Sequence, residues 1–282
     1  MDLTRHLYGI GLPGPRLEGP VETMGFKAFN LARMAAIGLP VPQAFVLGTP
    51  FCQAFGDDPA AFRPALRKLL ESQIERLEAA CGLEFGSGRK PLLVSVRSGA
   101  PVSMPGMMDT ILDVGLTDAT LRGLLRTTGN PRLVWDSYRR LIQQYAEVVH
   151  HSPPAPFREA LDLAMDQAGA RRPQELDFRA LTRLARRYLE IFETLNGCPF
   201  PQDPLTQLQR ATEAVFDSWM SPRAIEYRRM RRIDAKMGTA VTVQRMVFGN
   251  AGGTSGAGVG FSRDPASGEN RLYLDFRFNS QG

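Results

Sequence analysis

An α+β fold is predicted for this 282-residue chain, on three observations. Runs with strand character lie toward both ends, while a long middle stretch carries only helical periodicity. Hydrophobic residues make up 43% of the chain, enough to bury a sizeable core in one large domain or two to three lobes. Two apolar segments also flank a loop rich in Gly, Ser and Pro, within PLLVSVRSGAPVSMPGMMDTIL (91–112). Long loops held between strands commonly carry function.

The elements follow in order. AFNLARMAAIGLP (28–40) has apolar residues at helical spacing and stops at Gly38 and Pro40. VPQAFVL reads as a strand. PALRKLLESQIERLEAACG is an amphipathic helix with Leu66, Leu69, Leu70, Ile74 and Leu77 on one side, closed by Gly82. LLVSV and TILDVGL read as strands on either side of the loop. From about 119 to 200 the texture is helical: PRLVWDSYRRLIQQYAEVVH, APFREALDLAMDQAG and DFRALTRLARRYLEIFETLNG each carry an apolar stripe, and HHSPPAP between the first two is an extended link. PLTQLQRATEAVFDSWMSPRAIEYRRMRRI is helix interrupted near Ser221-Pro222. Strand signals return in TAVTVQRMVFG and RLYLDFRFNSQG, joined by a glycine-rich turn expected to link two strands.

Composition excludes several function classes. No stretch approaches the ~20 apolar residues of a membrane helix, and the N-terminus lacks a basic segment followed by an apolar run, so a cytoplasmic protein is expected. Cys52, Cys81 and Cys198 are scattered and read as reduced thiols. The net charge of +5 is spread along the chain except in YRRMRRIDAK (227–236), where no aromatic residues interleave, so nucleic acid is not an expected partner. There is no GxxxxGK[ST], GxGxxG, HExxH or GxSxG. The only histidines, His6, His150 and His151, are too few and too poorly placed for a three-ligand metal site.

The remaining features suit an anionic phosphate. Arg97 leaves a buried strand, and its planar guanidinium matches phosphate oxygens two at a time. Ser98, Gly99, Ser103 and Gly106 let backbone N–H groups approach a ligand closely. Met104, Met107 and Met108 offer an apolar surface for a flat ring. Lys27 adds a cation at a helix start, where anions are already favoured. Each feature alone has an ordinary structural explanation; together they favour a nucleotide.

Seven segments, in this order, carry a family resemblance: LPVPQAF, SVRSGAPVSMPGMMDTIL, GNPRLVWDSYRRLIQ, FPQDPLTQL, AVFDSWMSPRAIEYRR, TAVTVQRMVFGN and GVGFSRDPASGEN. From about residue 20 to the last residue, the chain resembles the N-terminal nucleotide-binding region of pyruvate phosphate dikinase. The resemblance implies an ATP-grasp-like region: an α/β ATP-binding lobe (1–118), an inserted helical subdomain (119–200) and a partial C-terminal lobe (201–282) whose sheet is incomplete. It implies ATP and Mg²⁺ as ligands. Arg97 is then the catalytic arginine that steadies the transferring phosphates, and Lys27 is the ATP-contacting lysine. Ser98, Gly99, Ser103, Met104, Gly106, Met107, Met108 and Asp109 form the phosphate loop. Gln244, Met246 and Val247 border the adenine, and Asp275 stands where the family has a glutamate.

Departures from the family pattern shape the expectation. The family's GGKGANL is here GFKAFNL (25–31), so Phe26 and Ala28 replace glycines. If the backbone there needs positive φ, each replacement costs about 1 kcal/mol and adds bulk beside the phosphates. The sequence ends before the family's D-x-E and Q-T-R elements and contains no TSHAA carrier-histidine motif. It is therefore expected to act as an ATP-binding module that does not run the complete reaction alone. The alternatives are a split phosphotransferase completed by a second chain and a degenerate scaffold or regulator. The last strand, with its free edge, makes a second copy an alternative partner to such a chain.

Overall fold

A computed structural model describes residues 3–13, 19–106 and 108–281; Met107 lies outside them. The main sheet has five strands, β1 (Leu7–Ile10), β2 (Ala44–Leu47), β5 (Val94–Gly99), β6 (Thr110–Val114) and β7 (Ala240–Arg245). Their spatial order is β1-β2-β7-β5-β6, every pair antiparallel. Between β2 and β5 the chain also forms a short parallel pair, β3 (Glu84–Phe85) with β4 (Pro91–Leu92).

Alternation along the strands gives this sheet two faces. Phe45, Leu47, Val94, Val96, Val241 and Val243 join the larger core, under helices α3 (Thr49–Asp57), α4 (Pro59–Cys81) and α9 (Pro204–Ser218). Each fully buried side chain of this kind stabilises the fold by roughly 1.5–3 kcal/mol. On the opposite face Tyr8, Ile10, Ala44, Val46 and Ala240 pack with Met24 and Ala28, from α1 (Val21–Met24) and α2 (Phe26–Ala36). That second cover is short. It spans the β1–β2 side and leaves the same face of β7 and β5 roofed only in part.

The helical periods appear as expected. The Asp58 carboxylate accepts from Ala61 N–H at 3.0 Å to start α4, and Gly82, left-handed at φ 65°, ends it. The region after β6 holds α5 (Asp118–Thr128), α6 (Pro131–Val149), α7 (Ala155–Ala168) and α8 (Phe178–Asn196). Helices α6 and α8 meet over Tyr145, Phe192 and Phe200, edge-on pairs with ring centroids 5.4–5.5 Å apart. After α9 the Ser221 hydroxyl caps α10 (Pro222–Arg231) at Ala224 N–H.

Two placements differ from the sequence expectation. The strand signal in TAVTVQRMVFG is β7, at the centre of the main sheet between β2 and β5, rather than in a lobe of its own. Its alternation explains the position, since Val241 and Val243 face one layer while Thr242 and Gln244 face the other. The glycine-rich run is not a turn between paired strands either. Gly256 to Phe261 is strand β8, which pairs with β9 (Tyr273–Phe278) in a separate two-stranded sheet. The glycines there make room for β9: a Cβ on Gly256 would lie 2.6 Å from the Arg277 carbonyl oxygen, and one on Gly258 2.7 Å from that of Asp275. This hairpin is exposed along its length, with Val259, Leu274, Phe276 and Phe278 all more than half accessible.

Candidate functional site

The partly roofed face of β5 and β7 is where the predicted residues converge. Arg97 lies within β5, not beyond its end, with its side chain exposed on the α2 side while Val94 and Val96 point into the core. Its cross-strand neighbours are Thr242 on β7 and Thr110 on β6. Lys27 is in the first turn of α2. What brings the helix to the strand is Gly25, at φ 78° and ψ 149°, a region of backbone space that is essentially glycine-only. A Cβ on Gly25 would fall 2.6 Å from the Gly99 carbonyl carbon and closer still to its oxygen. Next to it, Phe26 N–H donates to the Ala100 carbonyl at 3.0 Å. Gly99 thus serves as the seat on which the α1–α2 junction rests.

Two adjoining hollows result. One, of about 370 Å³, lies between α2 and the sheet: Phe26, Lys27, Asn30, Leu31 and Met34 come from the helix, Arg97 and Ser98 from β5, Thr242 and Gln244 from β7. The other, of about 190 Å³, shares Phe26, Lys27 and Ser98 and is closed by the loop after β5, through Ala100, Val102, Ser103, Met104, Pro105, Gly106 and Met108. Lys27 and Ser98 therefore stand where the hollows meet. Gly106, at φ 71° with no atom within 4 Å of a notional Cβ, forms the open tip of the loop.

The electrostatics are one-sided. Burial, and then the neighbouring Arg97 guanidinium, hold the Lys27 ammonium below the ordinary lysine range. Among the described residues neither cation has a carboxylate partner within ion-pairing distance; the salt bridges all lie elsewhere. Among the described residues no acidic side chain lines either hollow. Thr242 adds a second unmet demand: its hydroxyl is buried with no hydrogen-bond partner. Gln244 donates its amide N–H to the Pro42 carbonyl at 3.1 Å, which leaves its amide oxygen as the free polar atom. Two unpaired cations over a floor of neutral polar groups, flanked by Leu31 and Met34, suit an anionic ligand that also carries a flat, partly apolar body.

The predicted residues divide into two groups. Lys27, Arg97, Ser98, Ser103, Met104, Gly106, Met108 and Gln244 line the hollows. Met104 and Met108 also pack against the larger core, so they form its edge rather than a free-standing surface. Asp109 is turned away and pairs with Arg223 of α10. Met246 continues the β7–β5 pairing through its N–H to the Leu93 carbonyl at 2.8 Å, and Val247, more than half exposed, follows it; neither lines a hollow. Asp275 sits on β9 opposite Val259, outside both hollows. Phe26 and Ala28 occupy ordinary helical backbone, so the strain expected of them does not arise. Ala28 is buried beneath α2, away from the hollows, whereas the Phe26 ring lines both.

Asn30, Leu31, Met34 and Thr242 were missed. The first three follow Lys27 at i+3, i+4 and i+7, one helix face, and Thr242 precedes Gln244 by two on one strand face. Both spacings were available in the sequence. A resident metal does not fit the described residues: among them no carboxylate lines the hollows, and no group of three or more His, Cys, Asp or Glu side chains could hold one. Among the described residues no helix is long and apolar enough to cross a membrane.

Comparison with known proteins shows the family. The family model described as "Pyruvate phosphate dikinase, AMP/ATP-binding domain" matches residues 59–278, most of the chain. The chain belongs to that family. Pyruvate, phosphate dikinase of Clostridium symbiosum is 45% identical over 260 residues, covering 92% of this chain and 30% of that protein. The Rhizobium meliloti (strain 1021) enzyme is 44% identical over 280 residues, covering 98% and 31%, and pyruvate, phosphate dikinase 2 of Zea mays is 44% identical over 261 residues, covering 93% and 29%. The chain thus spans about a third of the length of these relatives. The mixed helix-and-sheet architecture is consistent with an ATP-grasp-like nucleotide-binding domain of that family.

Proposed function

We propose that this chain binds ATP in the paired hollows between α2, β5 and β7, with the phosphates at Lys27 and Arg97. The observation that carries this reading is the pair of adjacent cations left without a carboxylate. Ser98, Ser103 and the backbone around Gly106 surround the phosphates. Thr242 and Gln244 lie beneath the nucleoside, with Leu31 and Met34 beside it. Arg97 is the group assigned to steadying charge on a phosphoryl group during transfer. Magnesium enters with the nucleotide's own phosphates, because the hollows supply no acidic ligand. Asp109, Met246, Val247 and Asp275 act, on this reading, outside the immediate contact set.

Within the family's reaction, ATP, phosphate and pyruvate give AMP, pyrophosphate and phosphoenolpyruvate through a phosphohistidine. We assign to this chain the nucleotide-binding part of that sequence, in an ATP-binding lobe (1–118) extended by β7 and followed by a helical subdomain (119–200). The carrier histidine and the pyruvate site of that reaction lie outside these residues, in a continuation of this chain or in a second chain. The exposed apolar hairpin β8–β9 is the edge against which such a part would dock, and a second copy is the competing occupant of that edge. Such a protein works in the cytoplasm.

The experiment is calorimetric titration with ATP and Mg²⁺ of the parent chain and of Arg97→Ala. A charge-assisted hydrogen bond to phosphate contributes about 1.5–3 kcal/mol, so the variant should bind at least about tenfold more weakly. Equal affinity in the two proteins would remove Arg97 from the site.

A further inference from the structure

We infer that Arg223, a residue that touches neither hollow, is a positioning residue for the nucleotide loop, acting through Asp109. The inference rests on the proposed nucleotide site and adds a device that holds it.

The loop of residues 100–109 closes the smaller hollow, and its two ends are held differently. At the entrance, Ala100 accepts from Phe26 N–H, and the Gly99 N–H donates to the Thr239 hydroxyl at 3.3 Å. These bonds tie the loop's first residues to α2 and to the start of β7. Between the two ends Met104 is buried at the edge of the larger core, while Val102, Ser103, Pro105 and Gly106 are exposed, and a notional Cβ on Gly106 would meet no atom within 4 Å. At the exit, the Asp109 carboxylate pairs with the Arg223 guanidinium, and the sulfur of Met108 accepts from the Ser218 hydroxyl at 4.0 Å. Both partners belong to the α9–α10 corner.

That corner is a stiff support. Ser221 caps α10 and Pro222 starts it, so Arg223 stands in the first turn. Arg228, one turn and a half further on, stacks 4.1 Å from the Trp219 ring and donates to the Trp219 carbonyl, while the indole N–H donates to the Ala235 carbonyl at 2.9 Å. The pair therefore fixes the exit of the loop to a corner braced from both sides.

Asp109, Glu147, His151 and Asp217 line the hollow of about 750 Å³ on which Arg223 borders. Of the carboxylates there, Asp109 is the one that receives its guanidinium. The loop is thereby held by its last residue at a set distance from Lys27 and Arg97, and Ser103, Met104 and Gly106 are presented to the ligand without being contacted by Arg223.

The test compares ATP affinity, thermal midpoint and amide hydrogen exchange of Ser103, Met104 and Gly106 in the parent, Arg223→Met, Arg223→Lys, Asp109→Asn and the Met/Asn double variant, with Arg97→Ala as reference. Half-exposed ion pairs of this kind act on the scale of about a fivefold change in an equilibrium constant. Arg223→Met should weaken ATP binding by about that factor and speed exchange in the loop, with the thermal midpoint lowered by no more than about 2–4 °C. Arg223→Lys should restore most of the affinity. Asp109→Asn should match Arg223→Met, and the double variant should be no weaker than either single one. Unchanged affinity in Arg223→Met while Arg97→Ala loses binding overturns the role of Arg223 and leaves the site standing. Additive losses in the double variant, or losses that track the thermal midpoint, overturn it as well. No saturable binding by the parent overturns the site itself and Arg223's part in it.

Discussion

Replacing Gly25 by alanine tests how the two cations are brought together. The backbone there is at φ 78°, ψ 149°, which for a residue with a Cβ costs about 1–3 kcal/mol. The added methyl would also overlap the Gly99 carbonyl, whose carbon lies 2.6 Å from the ideal Cβ position. Gly99 cannot give way cheaply, because it is the last residue of β5 and is paired with Ala240 of β7. Forced overpacking of that kind costs about another 1–3 kcal/mol. The total, roughly 3–6 kcal/mol, is a large share of the 5–15 kcal/mol typical of a folded domain. Gly38 supplies the control. Its φ is 87°, yet nothing lies within 4 Å of a notional Cβ, so Gly38→Ala should cost only about 1–2 kcal/mol. Urea denaturation followed by circular dichroism measures both. If Gly25→Ala proves no costlier than Gly38→Ala, the close approach to Gly99 is not what sets the α1–α2 junction, and the argument that it positions Lys27 fails.

The other expectations concern individual groups. Thr242→Val removes a buried hydroxyl with no partner, so the ligand-free protein should gain about 1 kcal/mol or more in denaturant stability while ATP binding weakens; a loss of stability would mean the hydroxyl has a partner after all. Lys27 has its pKa lowered, so the unfolded chain holds that proton more tightly. Stability should therefore rise with pH from the lowered value up to about 10.5, and Lys27→Met should abolish this rise, as read from denaturation midpoints between pH 8 and 10.5. Asp113 is buried, and desolvation raises its pKa to about 7. The folded state then binds the extra proton, so stability should fall as pH rises from about 4 through about 7; Asp113→Asn, at a left-handed position (φ 60°) that Asn tolerates, should flatten that decline. Thiol labelling of the native protein should find Cys198, which is exposed, well before Cys52, which is buried with its pKa raised to about 11 by desolvation; equal rates would mean that Cys52 is accessible.

Much of the fold was legible because its signals are local. The 3.6-residue periods of α4, α6 and α8 are long, and their caps at Asp58, Gly82 and Gly197 are of ordinary type. Lys27, Arg97 and the Ser/Gly-rich loop announced themselves through chemistry. The position of β7 was not legible, because its partners β2 and β5 lie far away in the chain, and pairing over that distance leaves no mark on a short window. The same holds for Asp109, which stood with the loop residues in sequence but whose carboxylate is claimed by Arg223, 114 positions away. For Phe26 and Ala28 the expected strain depended on positive φ, a condition that no short window of sequence settles: here Gly25 alone takes that conformation, and the helix begins immediately after it.

The site's unfavourable terms all have one sense. Among the described residues two cations are held side by side without a carboxylate, and a hydroxyl is buried unpaired. Each lowers the stability of the ligand-free chain. If the arrangement were only structural, substitutions that relieve these terms would be improvements with no cost. If it binds a phosphate-bearing ligand, the same terms reverse sign on binding: the anion pairs the cations, and the nucleoside meets the hydroxyl. Lys27→Met and Thr242→Val should then each raise stability and lower affinity. That opposition of sign separates a binding site from an imperfectly packed surface.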